Sequence, residues 1–359
     1  MKVAVIGTGL MGASVALAAR ARGDEVVGWD PDPDALAAAV ARGAVDAADS
    51  LDAALADTQL AVVATPIAQL EATVAAVLAA AGDATVTDVG STKASVVGAA
   101  AGSSRFVGGH PICGSETRGA ENASAGIFEG ATWFLTPVAH TDPDAHRLVH
   151  GFVADAGATP VAIDPDAHDR LVALTSHVPH VLANVVANQT GASRVEGHEP
   201  LTHAGGSLRD MTRIAGANPR IWVDIFLDNA ERIRGELAEH RRRIEQVEAA
   251  LAQGDAGFLA RWIGEASSNR RRMLEREYPD PGALHRLRVH VPDRPGVLAG
   301  ITQALGAERI NIEDFELRHE SPERGGVLTV LIGGEEQATR AAALLESQGY
   351  AVDVSPVLE

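Results

Sequence analysis

Residues 3–30 read VAVIGTGLMGASVALAARARGDEVVGWD, and this stretch decides the fold. Val3–Ile6 is a short apolar β-type run that leads straight into Gly7, Gly9 and Gly12. An apolar helical stretch follows, and a second short strand ends on Asp30. A glycine-rich turn between strand and helix, with an acid after the next strand, is the dinucleotide-binding fingerprint in its structural context. Gly7 permits the tight turn, Gly9 lets the backbone approach a pyrophosphate, and Gly12 lets the helix pack closely on the strand. The helix N-terminus at Leu10 and Met11 offers unpaired N–H groups and a positive dipole end to the phosphates. Asp30 stands about 20 residues downstream, where a carboxylate accepts hydrogen bonds from the adenosine ribose. It repels a 2′-phosphate, so NAD is the expected cofactor rather than NADP.

Working outward, strand and helix signals alternate as far as Asp164. The candidate strands are Lys2–Ile6, Glu25–Trp29, Leu60–Ala64, Thr85–Asp88, Arg105–Gly108, Thr132–Thr136 and Thr159–Ala162. This α/β alternation predicts an open, mainly parallel, doubly wound Rossmann sheet. Ligands of such sheets bind outside the carboxyl ends of the strands. The segments expected to line the site are Gly7–Gly12, Ala64–Pro66 (with Thr65 and Pro66 against the cofactor), Asp88–Lys93 and His110–Glu116, each following a predicted strand.

From Asp166 to about Glu277 helical patterns dominate, including Ala167–Gln189, Pro219–Ala252 and Gly257–Arg276. They predict an all-helical second domain. Tyr278–Gly282, with two prolines and a glycine, reads as a linker. From Ala283 the pattern is βαββαβ, the ferredoxin-like arrangement. Its predicted pieces are strand Leu287–Val291, helix Val297–Gly306, strands Ile310–Arg318 and Gly326–Ile332, helix Glu335–Gln348 and strand Tyr350–Val354. The expected domains are therefore 1–165, 166–280 and 284–359.

The chain has 359 residues and a formal net charge of -18. That acidity argues against non-specific nucleic-acid binding and against an anionic membrane surface. The single cysteine, Cys113, excludes an internal disulfide framework and fits a reducing cytoplasm. The chain enters a core strand at once, so no signal peptide is expected. No apolar run approaches the roughly 20 residues of a membrane span.

Three further motifs carry chemistry. Gly108-Gly-His-Pro-Ile-Cys-Gly-Ser-Glu116 places His110 at a strand end beside a nicotinamide site, where its near-neutral pKa suits general acid/base work. In Ser176-His-Val-Pro-His180, His177 and His180 share one helix face. A zinc site would need a third protein ligand, and none accompanies the pair, so no metal is expected. His168, in Ala-His-Asp, reads equally as structural or functional. In Gly205-Gly-Ser-Leu-Arg-Asp-Met-Thr-Arg213, Arg209 and Arg213 stand one helical turn apart, with Trp222 beyond. Two guanidiniums near a nicotinamide imply a dianionic organic acid; a salt-bridged helix face is the plainer alternative. The Arg241–Arg243 and Arg270–Arg272 runs read as charged faces or interface contacts.

Taken together and in order, Asp88-Val-Gly-Ser-Thr-Lys93, the Gly-Gly-His-Pro segment, the His-Asp pair, Ser-His-x-Pro-His and Thr-Arg-Ile-Ala resemble the prephenate dehydrogenase family. The resemblance covers Met1 to Glu277. It implies an oxidative decarboxylation in which NAD takes hydride from the ring carbon bearing the hydroxyl, carbon dioxide leaves and the ring aromatises. It implies that His110 deprotonates the hydroxyl and that Ser91 touches both hydroxyl and nicotinamide. Arg213 would bind the substrate carboxylate, with His177, His180 and Arg209 as further substrate contacts. Ser115 and Glu116 would stand at the pocket mouth, Glu116 gating it by pairing with an arginine. Trp222 would lie near the site, contributed by the other subunit of a homodimer formed through the helical domain.

The C-terminal unit resembles an ACT domain, an amino-acid-binding regulatory module, on Asp293-Arg-Pro-Gly-Val-Leu298 and Asn311-Ile-Glu313. The resemblance implies an effector site at Asp293, Arg294, Pro295, Gly296, Val297, Leu298, Asn311 and Ile312. Tyrosine, the pathway end product, is the expected effector; a dimerisation appendage without ligand is the alternative. Arogenate dehydrogenase is the nearest rival, since the same scaffold hosts either substrate. A 3-hydroxyacid dehydrogenase would need a helical lysine after Gly205-Gly206, and Lys93 is the last lysine in the chain. A non-catalytic regulator sensing NAD and amino acid would not need His110.

Overall fold

A computed structural model of the chain describes residues 1–100, 102–113, 117–275, 278, 280–321 and 325–357. Its contacts divide into two compact units, Met1–Arg242 and Arg243–Glu359.

The first unit is built on β1 (Lys2–Ile6), β2 (Glu25–Trp29), β3 (Asp46–Ala47), β4 (Leu60–Val63), β5 (Thr85–Asp88), β6 (Phe106–Pro111), β7 (Thr132–Thr136) and β8 (Thr159–Ala162). Their spatial order is β3-β2-β1-β4-β5-β6-β7-β8. All neighbours are parallel except β6 and β7. Strand order reverses between β1 and β4, which places the ligand crevice at their carboxyl ends. The central strands are continuous apolar runs because helices cover both sheet faces. Side chains alternate across the pleat. Val3, Val5, Leu60 and Val62 enter one core with Val15, Phe128 and Trp133. Ala4, Ile6, Ala61 and Val63 enter the other with Leu70, Val74 and Phe106. Each fully buried Val, Ile or Leu contributes roughly 1.5–3 kcal/mol.

The strand predicted to end at Gly108 instead runs on to Pro111, so His110 lies within β6 rather than after it. The antiparallel ladder with β7 extends it, pairing Gly108 with Thr136 and His110 with Phe134. Paired glycines lower strand propensity and suggest a turn. Here tight packing requires them. A Cβ on Gly108 would sit 2.3 Å from Thr136 Oγ1, and one on Gly109 would sit 2.6 Å from the Asp88 carbonyl oxygen.

The predicted Ala167–Gln189 helix is an α-helix (Pro165–Val172), a π-turn (Ala173–His177) and a second α-helix (Val178–Ala192). Pro179 has no N–H to give and its ring crowds the carbonyl four residues back, at Thr175. The π-turn falls on that carbonyl, and such turns gather at functional sites. The predicted Pro219–Ala252 helix breaks at Asn229 into Pro219–Asp228 and Ala230–Gln253. Helix Ala256–Leu274 follows.

In the second unit β9 (Leu284–Val291), β10 (Asp314–Ser321), β11 (Gly325–Gly333) and β12 (Ala351–Pro356) form an antiparallel sheet in the order β10-β11-β9-β12. Helices Val297–Ala307 and Glu335–Ser347 pack on it through Ile301, Leu305, Ala338, Ala341 and Leu345. This is the ferredoxin-like arrangement. β10 begins at Asp314, not Ile310, because its ladder starts with Asp314 opposite Leu331. Ile310 is buried in the core, and its alternation with Ile312 mimics a strand. Among the described residues no helix is long and apolar enough to cross a membrane.

Candidate active site

The loops after β1 and β4 meet at the point where strand order reverses. Gly7 takes φ +93°, and a Cβ there would lie 2.7 Å from the Ala64 carbonyl. A Cβ on Gly12 would lie 1.9 Å from the Gly7 carbonyl oxygen, which is why the first helix, Leu10–Ala21, can approach the strand only with glycine here. Gly9 differs: nothing lies within 4 Å of the place of its Cβ. Gly9 is also the N-cap, without side-chain cap and without an acid in the first turn beyond it. Leu10 and Met11 open that turn. Uncapped N–H groups beneath open space form an anion cradle. The Thr65 hydroxyl beside it is buried without a partner, and Pro66 caps the next helix. Asp30 is held by the Thr8 N–H at 2.7 Å and hydroxyl at 3.2 Å, and by the Asp32 N–H at 2.9 Å. These residues fit a dinucleotide with an unmodified ribose.

Two strands away, Asp88 and Lys93 form a fully buried ion pair. Lys93 Nζ also donates to the Gly109 carbonyl at 2.8 Å, and Asp88 accepts from the Gly90 N–H at 2.8 Å and the Gly109 N–H at 3.0 Å. Burial draws the Lys93 pKa down while the Asp88 carboxylate opposes the shift. The pair fastens the turn carrying Ser91 to the strand carrying His110. Removing one partner of such a pair costs about 3–5 kcal/mol.

His110 is half-buried. Its Nδ1 lies 2.9 Å from His168 Nε2, and His168 Nδ1 lies 2.8 Å from Asp169 Oδ1. Asp169 also accepts the Lys93 N–H at 2.7 Å and the Ala94 N–H at 2.8 Å. Burial pushes the Asp169 carboxyl up, but His168 and the two N–H groups outweigh it and hold the pKa below its ordinary value. An ionised carboxylate only accepts, so His168 Nδ1 carries the proton. With His168 neutral, its Nε2 accepts from His110 Nδ1–H, and His110 Nε2 keeps a lone pair. Burial first, then the neighbouring His168, Lys93 and His177, hold His110 well below its usual pKa. In that arrangement His110 Nε2 is free to accept a proton.

Asn229 extends the cluster. Its Nδ2 lies 2.7 Å from the Asp169 carbonyl oxygen and 3.1 Å from His177 Nδ1. His177 stands edge-on to Trp222, with ring centres 6.0 Å apart, and His180 stacks on Trp222 at 3.5 Å. Burial lowers the His177 pKa to about 4, against the pull of Asp169. Burial also lowers that of His180, whose Nδ1 lies 2.9 Å from the Ser176 carbonyl.

The structure thus brings together His110, His177, His180 and Trp222, with Trp222 standing against the histidines of its own chain rather than coming from another subunit. Arg209 and Arg213 are exposed, on a short helix and turn packed against Val178–Ala192, the helix that carries His180. Ser91 is half-buried in the turn after β5. Ser115 and Glu116 lie outside the described residues. Among the described residues no group of three or more His, Cys, Asp or Glu could hold a metal ion. In the second unit a cavity of about 290 Å³ is lined by Val291–Leu298, Leu317 and Gly326. Asn311 and Ile312 are not among its lining; Asn311 bonds Glu313 and Ile312 packs on the core. Sequence reasoning missed Asn229 altogether, since a lone Asn in an apparent helix carries no signal. It left His168 undecided, although the adjacent acid was the available clue.

Fold and site together define a nucleotide-binding dehydrogenase, with its phosphate cradle at the switch point and a histidine cluster at the end of β6, three strands from β1. Family models described as the prephenate dehydrogenase nucleotide-binding domain, the prephenate dehydrogenase dimerization domain and the ACT domain match residues 15–162, 164–265 and 285–349. The chain is 33% identical to a prephenate dehydrogenase of Bacillus subtilis over 358 residues, 96% of each chain. It is similar to the crystal structure of A. aeolicus prephenate dehydrogenase in complex with hydroxyphenyl propionate and NAD+, with TM-score 0.71 and 27% identity, covering 76% of this chain and 98% of that one. Synechocystis arogenate dehydrogenase matches with TM-score 0.70 and 27% identity, covering 76% of this chain and 100% of that one. The chain belongs to the prephenate dehydrogenase family and carries a C-terminal ACT domain.

Proposed function

We propose that the chain catalyses the NAD-dependent oxidative decarboxylation of prephenate to 4-hydroxyphenylpyruvate, as a cytoplasmic homodimer regulated by tyrosine. Its parts are a nucleotide domain at 1–165, a helical substrate and dimerisation domain at 166–280, and a regulatory domain at 284–359. The observation that carries the reading is the His110–His168–Asp169 chain at the carboxyl edge of β6.

Gly7, Gly9 and Gly12, the N–H groups of Leu10 and Met11, and Asp30, Thr65 and Pro66 would hold NAD, which accepts the hydride when bound. His110 Nε2 takes the proton of the ring hydroxyl as hydride leaves the same carbon. The electrons of the breaking bond to the ring carboxylate complete the aromatic ring, carbon dioxide departs, and the ring oxygen takes the proton back from His110 Nε2. Asp169, through His168, stabilises the positive charge that His110 acquires. Ser91 orients the hydroxyl. Arg213, with Arg209, binds the carboxylate of the side chain that remains; among the described residues neither guanidinium has an ion-pair partner to displace. Clamping the leaving carboxylate instead would oppose its departure, since that binding is lost in the transition state. His177, His180 and Trp222 form an aromatic wall beside the base, and Ser115 and Glu116 the mouth.

Arogenate is the second reading, supported by the equal likeness to the Synechocystis arogenate dehydrogenase. NADH formation by the purified chain, with prephenate and arogenate in parallel, separates the two. Prephenate is expected to turn over with the larger kcat/KM, and tyrosine to inhibit. Turnover of arogenate alone would reassign the substrate. Undiminished activity in saturating tyrosine would remove the regulatory reading.

A further inference from the structure

We propose that Asn229 is a positioning residue of the active site, which holds His177 in the Nε2–H tautomer, opposite to that of His110. The proposal rests on the reading of His110 as the base. Asn229 is fully buried in the one-residue break between helices Pro219–Asp228 and Ala230–Gln253. Its Nδ2 faces both the Asp169 carbonyl oxygen, at 2.7 Å, and His177 Nδ1, at 3.1 Å. A carbonyl oxygen only accepts, so the amide nitrogen must face it. Turning the amide over would set two acceptors against each other. The second hydrogen of the same amide then points to His177 Nδ1, which must offer a lone pair. A neutral imidazole with bare Nδ1 carries its proton on Nε2. His177 is neutral at ordinary pH because burial lowers its pKa to about 4.

Asp169 is therefore shared by two imidazoles of opposite polarity. Its carboxylate, through His168, leaves a lone pair on His110 Nε2. Its carbonyl, through Asn229, leaves a proton on His177 Nε2. One ring keeps a lone pair on Nε2 and the other a proton.

A second observation points the same way. Asn229 Oδ1 is buried without a partner. A buried acceptor left unsatisfied is a cost that an apolar residue of the same size would not carry. What Asn supplies that Leu could not is the pair of donors.

The test is proton–nitrogen correlation NMR of the imidazoles in the full chain, with His177→Gln to assign the signal. It needs no substrate, so it stands even if neither prephenate nor arogenate turns over. The expected result is an Nε2–H tautomer for His177 in the unaltered protein, and Nδ1–H in Asn229→Asp, whose carboxylate can only accept. Asn229→Ala is expected to leave mixed tautomers and a His177 titration raised above about 4, because the lone pair loses its donor. Both variants should lower kcat about tenfold or more, with NAD affinity retained. An Nδ1–H His177 in the unaltered protein would overturn the proposal, as would wild-type kcat and pH profile in either folded variant. If both variants fail to fold, the tautomer in the unaltered protein decides alone.

Discussion

His168 Nε2 lies 2.9 Å from His110 Nδ1, and in the neutral pair the proton between them is assigned to His110. The assignment follows from Asp169, whose carboxylate holds the proton of His168 on the other ring nitrogen. His168→Phe keeps an aromatic ring of similar bulk at a fully buried position and removes the acceptor. His110 would then lose its tautomer and the partner for its charge. Turnover should fall by about 10²-fold, within the range of general-base effects, while the NAD dissociation constant stays near that of the unaltered protein. Stopped-flow hydride transfer and cofactor fluorescence titration read the two quantities.

The rate should depend on pH with a definite sign. On the proposed reading His110 works as a base, and its pKa is held well below 6.5 by burial first and then by His168, Lys93 and His177. Activity is lost as the imidazole gains a proton, so kcat/KM should be flat through neutrality and fall only at pH below 6.5. A profile of kcat/KM measured in a buffer series of constant ionic strength checks this. An acid limb centred above 6.5 would mean that another group controls the step.

Two glycines in one loop should fail differently. A Cβ on Gly12 meets the Gly7 carbonyl oxygen at 1.9 Å, so Gly12→Ala must separate the first helix from β1. It should lower stability by about 1–3 kcal/mol or more and weaken NAD binding as well. A Cβ on Gly9 meets no protein atom within 4 Å. Gly9→Ala should leave the melting temperature nearly unchanged and weaken NAD binding about tenfold or more, because the methyl group takes the space of the pyrophosphate. Calorimetry with and without NAD distinguishes the two.

Asp30 should set the choice between cofactors. Its carboxylate, fixed by Thr8 and Asp32, occupies the end of β2 where a ribose 2′-substituent would fall. Asp30→Ser removes the charge and should narrow the preference for NAD over NADP by about tenfold, mostly by weakening NAD. The ratio of kcat/KM for the two cofactors is the measurement.

Much of this was legible because local rules agreed. The Val3–Ile6 run, its three glycines and Asp30 each obey one geometric demand, so the phosphate-binding turn could be placed from residues alone. Helical spacing likewise brought His177 and His180 to one side, where both stand against Trp222. What stayed hidden was set by contacts distant in sequence. β6 continues through Gly108 and Gly109 only because β7 pairs with it. Lys93 is buried only because Asp88 and the Gly109 carbonyl await it. Asn229 reaches residues 60 and 52 positions away. No periodicity records such pairings. The arginines mark the opposite limit: their spacing was plain, but both stand exposed, and spacing alone does not say what they bind.

The most direct test of the central claim is the stoichiometry of NADH and carbon dioxide released from prephenate by the unaltered chain and by His110→Asn. The account predicts one NADH per carbon dioxide for the unaltered chain. For the variant, which should still bind NAD, it predicts turnover lower by about 10²–10⁴-fold. Wild-type turnover in His110→Asn, or no turnover by folded, NAD-binding protein, would contradict it.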